Sequence, residues 1–502
     1  MTRLLTILLL IFSLISVAEI SADKKVKLQE SFSFRSTKCK APTSRIDLDI
    51  NNVRATILNG GDMWWDLNDA QYEIPKGGDK HSIYAGSIMI GGVDQTGNLK
   101  MAALTHRAVG SDFWAGPIDK NSVSTNSDVC DDYDKHYKLN RQEIEDYVTA
   151  FKAGENPSPP ASMLTYPAHG NISLGHDYYL APFYDADSNG TYNALKGDYP
   201  AYDFGDDMEK HANGRLNGDQ TIWWVFNDVG NIHTESGANA VGLEIHAQAF
   251  GFATNDAVNN MTFYNYKIIN RSSFEIQNCY MGVWVDTDLG NATDDFVGCD
   301  VERGLGYCYN GDANDEGING YGVDPPAVGI DFFEGPKADA SDGVDNDKDG
   351  FVDEPGELIA MSKFVYYNIG AGDQGDPNTA SDYYNYLRGI WKDGSKMQYG
   401  GNGYGPSGTT DNVDCDYMFP DNSDNTNYWG TGGVVVPVWN ESTAGNTPDD
   451  RRFIQSAGPF TLEPGAVNYV TSGVVWAPAN QGEGPWSAVE NLKVADDIAQ
   501  AL

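Results

Sequence analysis

CYMGVWVD, residues 279–286, decides how the chain is read. In an extended segment successive side chains point to opposite faces. Met281, Val283 and Val285 then share one face, and Gly282, Trp284 and Asp286 share the other. Upstream, TIWWVFND (221–228), GLEIHAQAFGF (242–252) and MTFYNYKIIN (261–270) have the length and β-branched or aromatic content of further strands. No helical pattern alternates with them in a βαβ rhythm, so an antiparallel sandwich is expected rather than a doubly wound parallel sheet.

The same reading extends outward. RIDLDI (45–50), VRATIL (53–58) and HSIYAGSIMIGGV (81–93) are short strands cut by Asn-Gly and Gly-Gly breaks. SKFVYYNIG (362–370), YYNYLRGIW (383–391), GGVVVPVW (432–439) and VNYVTSGVVWA (467–477) resume the pattern. LNRQEIEDYVTAFKAG (139–154) predicts a helix: Asn140 caps it, Glu143 stands at the capping-box position and Gly154 stops it. Ile144, Tyr147, Val148 and Phe151 form its packing stripe. The expected fold is mainly β, made of antiparallel β-sandwich domains with long acidic loops and few helices.

Five regions follow. Residues 1–22 have the order of a signal peptide, with one arginine ahead of an apolar run from Leu4 to Val17 and small residues after it. Residues 24–135 read as an N-terminal β domain, and 136–218 as the helix plus an irregular region rich in Tyr, Asp and Gly. Residues 219–480 read as a large sandwich with acidic loops inserted at 286–357. Residues 481–502 read as a closing helix, expected to begin a region that continues in a longer protein. No later stretch is apolar enough to cross a membrane, so the mature chain is expected to be secreted or held at the cell surface.

Seventy-two acids against 33 bases give a formal charge of −39. Such a surface repels phosphate backbones and argues against a nucleic-acid partner. With 28 Tyr, 20 Phe and 11 Trp the chain has a core to fold around, so its acidity belongs to loops rather than to disorder. Six cysteines permit disulfides in an oxidising compartment, and Cys299 and Cys308 are close enough in sequence to close a small loop.

The acids are concentrated. SDGVDNDKDGFVDEPGE (341–357) holds seven carboxylates and one lysine. Asp345, Asp347 and Asp349 alternate, Gly350 allows a turn at the sixth position, and the carbonyl of Phe351 stands at the seventh. Calcium takes six to eight hard oxygens, and a loop coiled around one ion would use this spacing. The twelfth position is Gly356 and the flanks are not helical, so closure by Asp353 or Glu354 is expected instead of a helix-loop-helix hand. An acidic linker is the plain alternative. DADSNGTYNALKGDYP (185–200) offers Asp185, Asp187 and Asn189, with Gly190 at the sixth position. Lys196 occupies the twelfth, and Asp198 follows two residues later. An Asx-rich turn is the alternative there. A third group, Asp286, Asp288, Asp294 and Asp295 with Asp300 and Glu302, is either another calcium site or the place to seek an acid/base pair.

Other signals are weaker. GYGPSG (403–408) satisfies G-x-G-x-x-G without the strand and helix that nucleotide binding requires. His169, His176 and His246 read as structural histidines. Trp64-Trp65 and Trp223-Trp224 would each send one indole to either face, so one of each pair could stack on a sugar, although core packing is the simpler reading.

Several of these segments together resemble large secreted proteins of the Bacteroidota. They include GDMWWD (61–66), GGVDQTGNLKMAALTHR (91–107), SDFWAGPID (111–119), DYYLAPFYDADSNGTYN (177–193), DQTIWWVFND (219–228), WVDTDLGNATDDFVGCD (284–300), PPAVGIDFFEGP (325–336) and RRFIQSAGPFTLEPGAVNYV (451–470). The resemblance implies export, often by the type IX route, with a C-terminal sorting domain that this sequence does not show. SDGVDNDKDGFVDE also resembles the calcium repeats of extracellular adhesive proteins, which implies ligand roles for Asp345, Asp347, Asp349 and Asp353. Asp185, Asp187 and Asn189 resemble the first ligands of dockerin-like loops, from which Lys196 departs. The expected function is a calcium-stabilised structural or adhesion protein without catalytic activity. Its expected partners are calcium ions and surface glycans or other extracellular proteins. The alternative is a secreted glycan-active enzyme or carbohydrate-binding module using the 286–302 carboxylates and exposed tryptophans.

Overall fold

The 279–286 segment lies in the middle of a sheet. In a computed structural model, which describes residues 38–107, 109–201, 216–370 and 372–502, it ends the strand Ile276–Asp286. That strand pairs with Ala85–Asp94 on one side and Arg452–Leu462 on the other. Lys363–Tyr367 continues the sheet past 452–462, and Arg54–Leu58 with its short neighbours continues it past 85–94. Ten strands result. A second sheet of nine strands carries Gln220–Asn227, Leu243–Gly251, Thr262–Asn270, Val467–Ala477, Ala327–Glu334, Leu305–Asn310 and Asp295–Asp300 in that spatial order. Among the described residues every ladder between two strands is antiparallel, with only isolated parallel bridges at Lys100–Asn239 and Phe364–Tyr417, and the fold is mainly β with few helices, as the alternation predicts.

The two sheets share one core. Val283 pairs with Ile88 and Met281 with Ile90 on one side, while Trp224, Ala247 and Tyr266 come from the other. Trp64 spans the gap: its indole N–H donates to the Tyr264 hydroxyl at 2.7 Å. Gly86 makes that possible, because a Cβ there would lie 2.1 Å from the Trp64 ring.

Both outer faces are covered as well. Helix Ala380–Leu387 lies over the ten-stranded sheet, with Leu387 against Gly282. On the nine-stranded sheet, Trp223 and Val225 pack against Ile144 and Tyr147 of helix Arg141–Lys152, and against Phe183. Further along, Ala488, Val489 and Leu492 of helix Pro485–Gln500 pack on Leu305 and Val475. A sheet covered on both sides needs apolar residues on both faces, which is why TIWWVFN is continuous rather than alternating.

Some expectations fall outside the described residues and others need correction. The signal segment 1–22 and the start of the 24–135 region lie outside the described residues, as do 202–215. The 24–135 and 219–480 regions share one sheet and one core, since Ala85–Asp94 is hydrogen-bonded to 276–286, while most of 136–218 gathers in a separate cluster with Trp223 and Val225; Cys39–Leu502 forms one compact unit. Local alternation identifies a strand but not its partner. YYNYLRGIW is largely helix, started by a capping box between Thr379 and Asp382. GGVVVPVW forms no strand, and Val434, Val435 and Val438 are exposed; Pro437 removes a ladder donor. Residues 286–357 are not all loop, since they contain 295–300, 305–310 and 327–334. Asn140 occupies the cap position, but its side chain accepts from Gln220 instead of capping. The disulfide joins Cys39 to Cys130, and Cys299 and Cys308 are free thiols buried on neighbouring strands. No helix among the described residues is long and apolar enough to cross a membrane.

Candidate metal centres

The 341–357 segment coils as its spacing suggests. One carboxylate oxygen from each of Asp345, Asp347 and Asp349 lies within 4.8 Å of the others. The Gly350 N–H donates to Asp345 Oδ2 at 3.1 Å, and the Phe351 N–H to Asp349 Oδ1 at 2.8 Å. Gly350 has φ +98°, a conformation that costs glycine little. Asp345 Oδ1 and Glu354 Oε2 are enclosed but meet no hydrogen-bond donor. Desolvation and then Asp349, Glu357 and Asp345 push the Asp347 carboxyl up.

Of the two residues expected to close the loop, Glu354 lies beside Asp349 and Asp353 does not reach the group. Asp353 accepts from the Gly343 N–H at 3.0 Å and tightens the base of the loop, outside the three-oxygen group. Glu357, one residue beyond the twelfth position, is buried and accepts from the Asn346 N–H. The lysine within the run does not neutralise it. Lys348 Nζ donates to Met361 O at 2.8 Å and sits 5.0 Å above the Tyr417 ring, anchoring the loop to the body.

The 185–200 loop is tighter. Phe183–Tyr184 pairs with Tyr199–Pro200, which places Asp185 and Asp198 side by side where the hairpin opens. Asp185, Asp187 and Asp198 form the second group. Asp185 accepts from the N–H of Gly190 at 2.6 Å and of Asn189 at 3.2 Å. Burial opposes its ionisation, but these bonds hold its carboxyl below the usual range. Asp198 is fully buried and accepts from Ala186 and Asn193 N–H, both at 2.8 Å. Its carboxyl is pushed up by burial, then by Asp185 and Asp187. Asn189 Oδ1 accepts from the Thr191 N–H at 2.7 Å, and Lys196 is exposed on a separate turn.

The third group contains Asp286, Asp288 and Asp450. Burial raises all three carboxyls, and with the Asp450 charge beside it Asp288 is pushed up to about 7. Asp294 and Asp295 are not in it. Asp295 Oδ2 accepts from the Leu289 N–H at 2.9 Å, and Asp294 Oδ2 from Asn291 Nδ2 at 3.1 Å. Asp450 is the residue that sequence reasoning missed. It lies far from Asp286 in the chain and no local spacing announces it.

Neither tryptophan pair supplies an exposed platform: Trp64, Trp65, Trp223 and Trp224 are all at most 5% exposed. Trp223 and Trp224 pack into different clusters on the two faces of their strand, whereas Trp64 and Trp65 lie in the same cluster, Trp64 having left-handed backbone at φ +74°. His246 is held by Glu244 at 2.9 Å, and His169 and His176 accept from the N–H groups of Tyr192 and Asn171. A cleft on the outer face of the nine-stranded sheet, about 790 Å³ including its open mouth, lies between Tyr179, Trp223, Gln248, Asn265 and Lys267. No carboxylate of 286–302 lines it. No family model matches the chain, and no curated protein matches it.

Proposed function

We propose that the protein is a calcium-stabilised extracellular or cell-surface structural protein, used in adhesion or matrix assembly. The observation that carries this reading is the convergence of acids in two separate loops. Oxygens sharing one calcium ion are at most about 5 Å apart, twice the bond length of roughly 2.4 Å. The oxygens of each loop group lie within 4.8 Å of one another. Carbonyls and water would complete the shell of hard ligands. Three carboxylates this close repel one another unless a cation or protons intervene. The acids gather around points instead of facing each other across a cleft, which favours an ion over a glycan-hydrolysing pair.

Export fits the apolar segment Leu4–Val17 and the Cys39–Cys130 disulfide, which belongs to an oxidising compartment. The resemblance to secreted Bacteroidota proteins points the same way. The test is metal content and melting of the purified chain. Elemental analysis should find calcium bound, and EDTA should lower the melting temperature by several degrees, since an ion that binds only the folded state stabilises it by mass action. Asp345→Asn with Asp347→Asn should remove one ion and part of the EDTA effect. A chain that holds no calcium, takes none up and melts identically in EDTA would overturn the reading.

A further inference from the structure

We propose that Asp286, Asp288 and Asp450 form a third calcium site, one that ties the connection between the two sheets, 287–294, to the segment that leads into strand Arg452–Leu462. The inference rests on the calcium reading above but concerns a different kind of site. The loop sites draw their carboxylates from a single short run of sequence. This one draws them from two distant segments.

The fold brings those segments together. Strand Ile276–Asp286 belongs to the ten-stranded sheet, and the next strand, Asp295–Asp300, belongs to the nine-stranded sheet. Residues 287–294 therefore carry the chain from one sheet to the other. Asp450 lies just before strand Arg452–Leu462, whose first residue pairs with Asp286. Hydrogen bonds hold the two connections side by side: Thr287 Oγ1 donates to Arg451 O at 3.1 Å, and the Asp449 N–H donates to Asp295 O at 3.2 Å.

A second observation points to a ligand. Asp286 is 1% exposed, and its Oδ1 meets no hydrogen-bond donor. Its Oδ2 faces Arg452 Nε at 3.1 Å. Asp450 Oδ1 is enclosed and also lacks a donor. A buried carboxylate oxygen left without a partner is costly, and a cation is one way to satisfy it. Arg452 does not suffice, because its single charge is shared with Asp376, at 3.1 Å from Nη1, and with Asp450, at 3.9 Å from Nη2. One guanidinium thus faces Asp286, Asp376 and Asp450, with Asp288 beside them. The ligand set is all oxygen, without thiolate or imidazole, which selects a hard divalent ion.

The test counts ions on the full chain, using calcium alone as the probe. Asp450→Asn keeps the side-chain shape and should lower bound calcium by one ion per chain. Its melting temperature should fall in calcium while matching wild type in EDTA. A second variant works in the opposite direction: Asp185→Asn with Asp345→Asn disables both loops and should retain one ion. If wild type binds calcium but Asp450→Asn binds the same number, or if the loop variant binds none, the third site is wrong and the loop reading stands. If wild type binds no calcium, both fail together.

Discussion

Arg451→Met should destabilise the protein by about 3–5 kcal/mol, the usual cost of leaving one member of a buried ion pair without its partner. Arg451 and Glu441 are 2% and 0% exposed. Their contact is bidentate, with Nε to Oε1 and Nη2 to Oε2 both at 3.0 Å. Glu441 also accepts from the Val297 N–H at 2.8 Å and from Asn446 Nδ2 at 3.0 Å. Burial pushes the Glu441 carboxyl up while Arg451 pulls it down, so removing the guanidinium leaves the burial cost opposed only by the bonds from Val297 and Asn446. The pair joins the short helix Glu441–Ala444 and the segment before strand 452–462 to strand 295–300. It therefore also fixes where Asp450 sits. Urea unfolding at pH 7 measures the effect. The double variant Glu441→Gln with Arg451→Met removes both charges and keeps an acceptor for Val297, so it should recover part of the loss. Equal destabilisation of the single and double variants would show that an unpaired charge is not the cause.

How far the sequence could be read depended on how far apart the relevant residues were. Asp345, Asp347, Asp349 and Gly350 form their group within six residues, and Asp185, Gly190 and Asp198 within one hairpin, so spacing alone indicated both. Asp450 needed the pairing of Arg452 with Asp286, which only the folded sheet supplies. The strands themselves were legible from alternation in Ile276–Asp286 and from β-branched and aromatic content elsewhere. Their partners were not, so the sheet shared by the 24–135 and 219–480 regions was not visible in the sequence. Strands 295–300 and 305–310 were hidden because Asp295 and Asp300, at the ends of the first, made the region look like loop. Tyr383–Tyr386 has the aromatic content of a strand, yet Thr379 and Asp382 just upstream carry the capping signature of a helix. Trp65 and Trp223 had no local sign of burial, since their covers come from elsewhere in the chain.

Asp496→Asn should stabilise the protein above pH 7 and change little near pH 4. Asp331 and Asp496 are both 0% exposed, where helix Pro485–Gln500 meets strand Ala327–Glu334. The two carboxyls are within hydrogen-bonding reach of each other. Gln500 Nε2 donates to Asp331 Oδ2 at 2.6 Å, but Asp331 Oδ1 and both oxygens of Asp496 meet no N–H or O–H donor. A proton held between the carboxyls would satisfy them. Burial, then Asp496, raises the Asp331 carboxyl well above its usual range. Asp496 is raised to about 7 by burial, against the pull of its bond to Asp331 and of Arg303. The sign follows from proton linkage. The native state holds a proton that the unfolded chain releases near pH 4, so the stabilisation is complete below that pH and is lost as pH rises through about 7. Every tenfold difference in proton affinity between the folded and unfolded chain is worth about 1.4 kcal/mol, so the loss above pH 7 is on the order of 2–4 kcal/mol. Asparagine cannot ionise and can donate to Asp331, which removes this cost. Urea unfolding of wild type and variant at pH 4.5 and pH 8 separates the curves: the gap should open only at the higher pH. A constant gap would mean that the substitution acts through packing, and a variant less stable at pH 8 would mean that no proton is shared between the two acids.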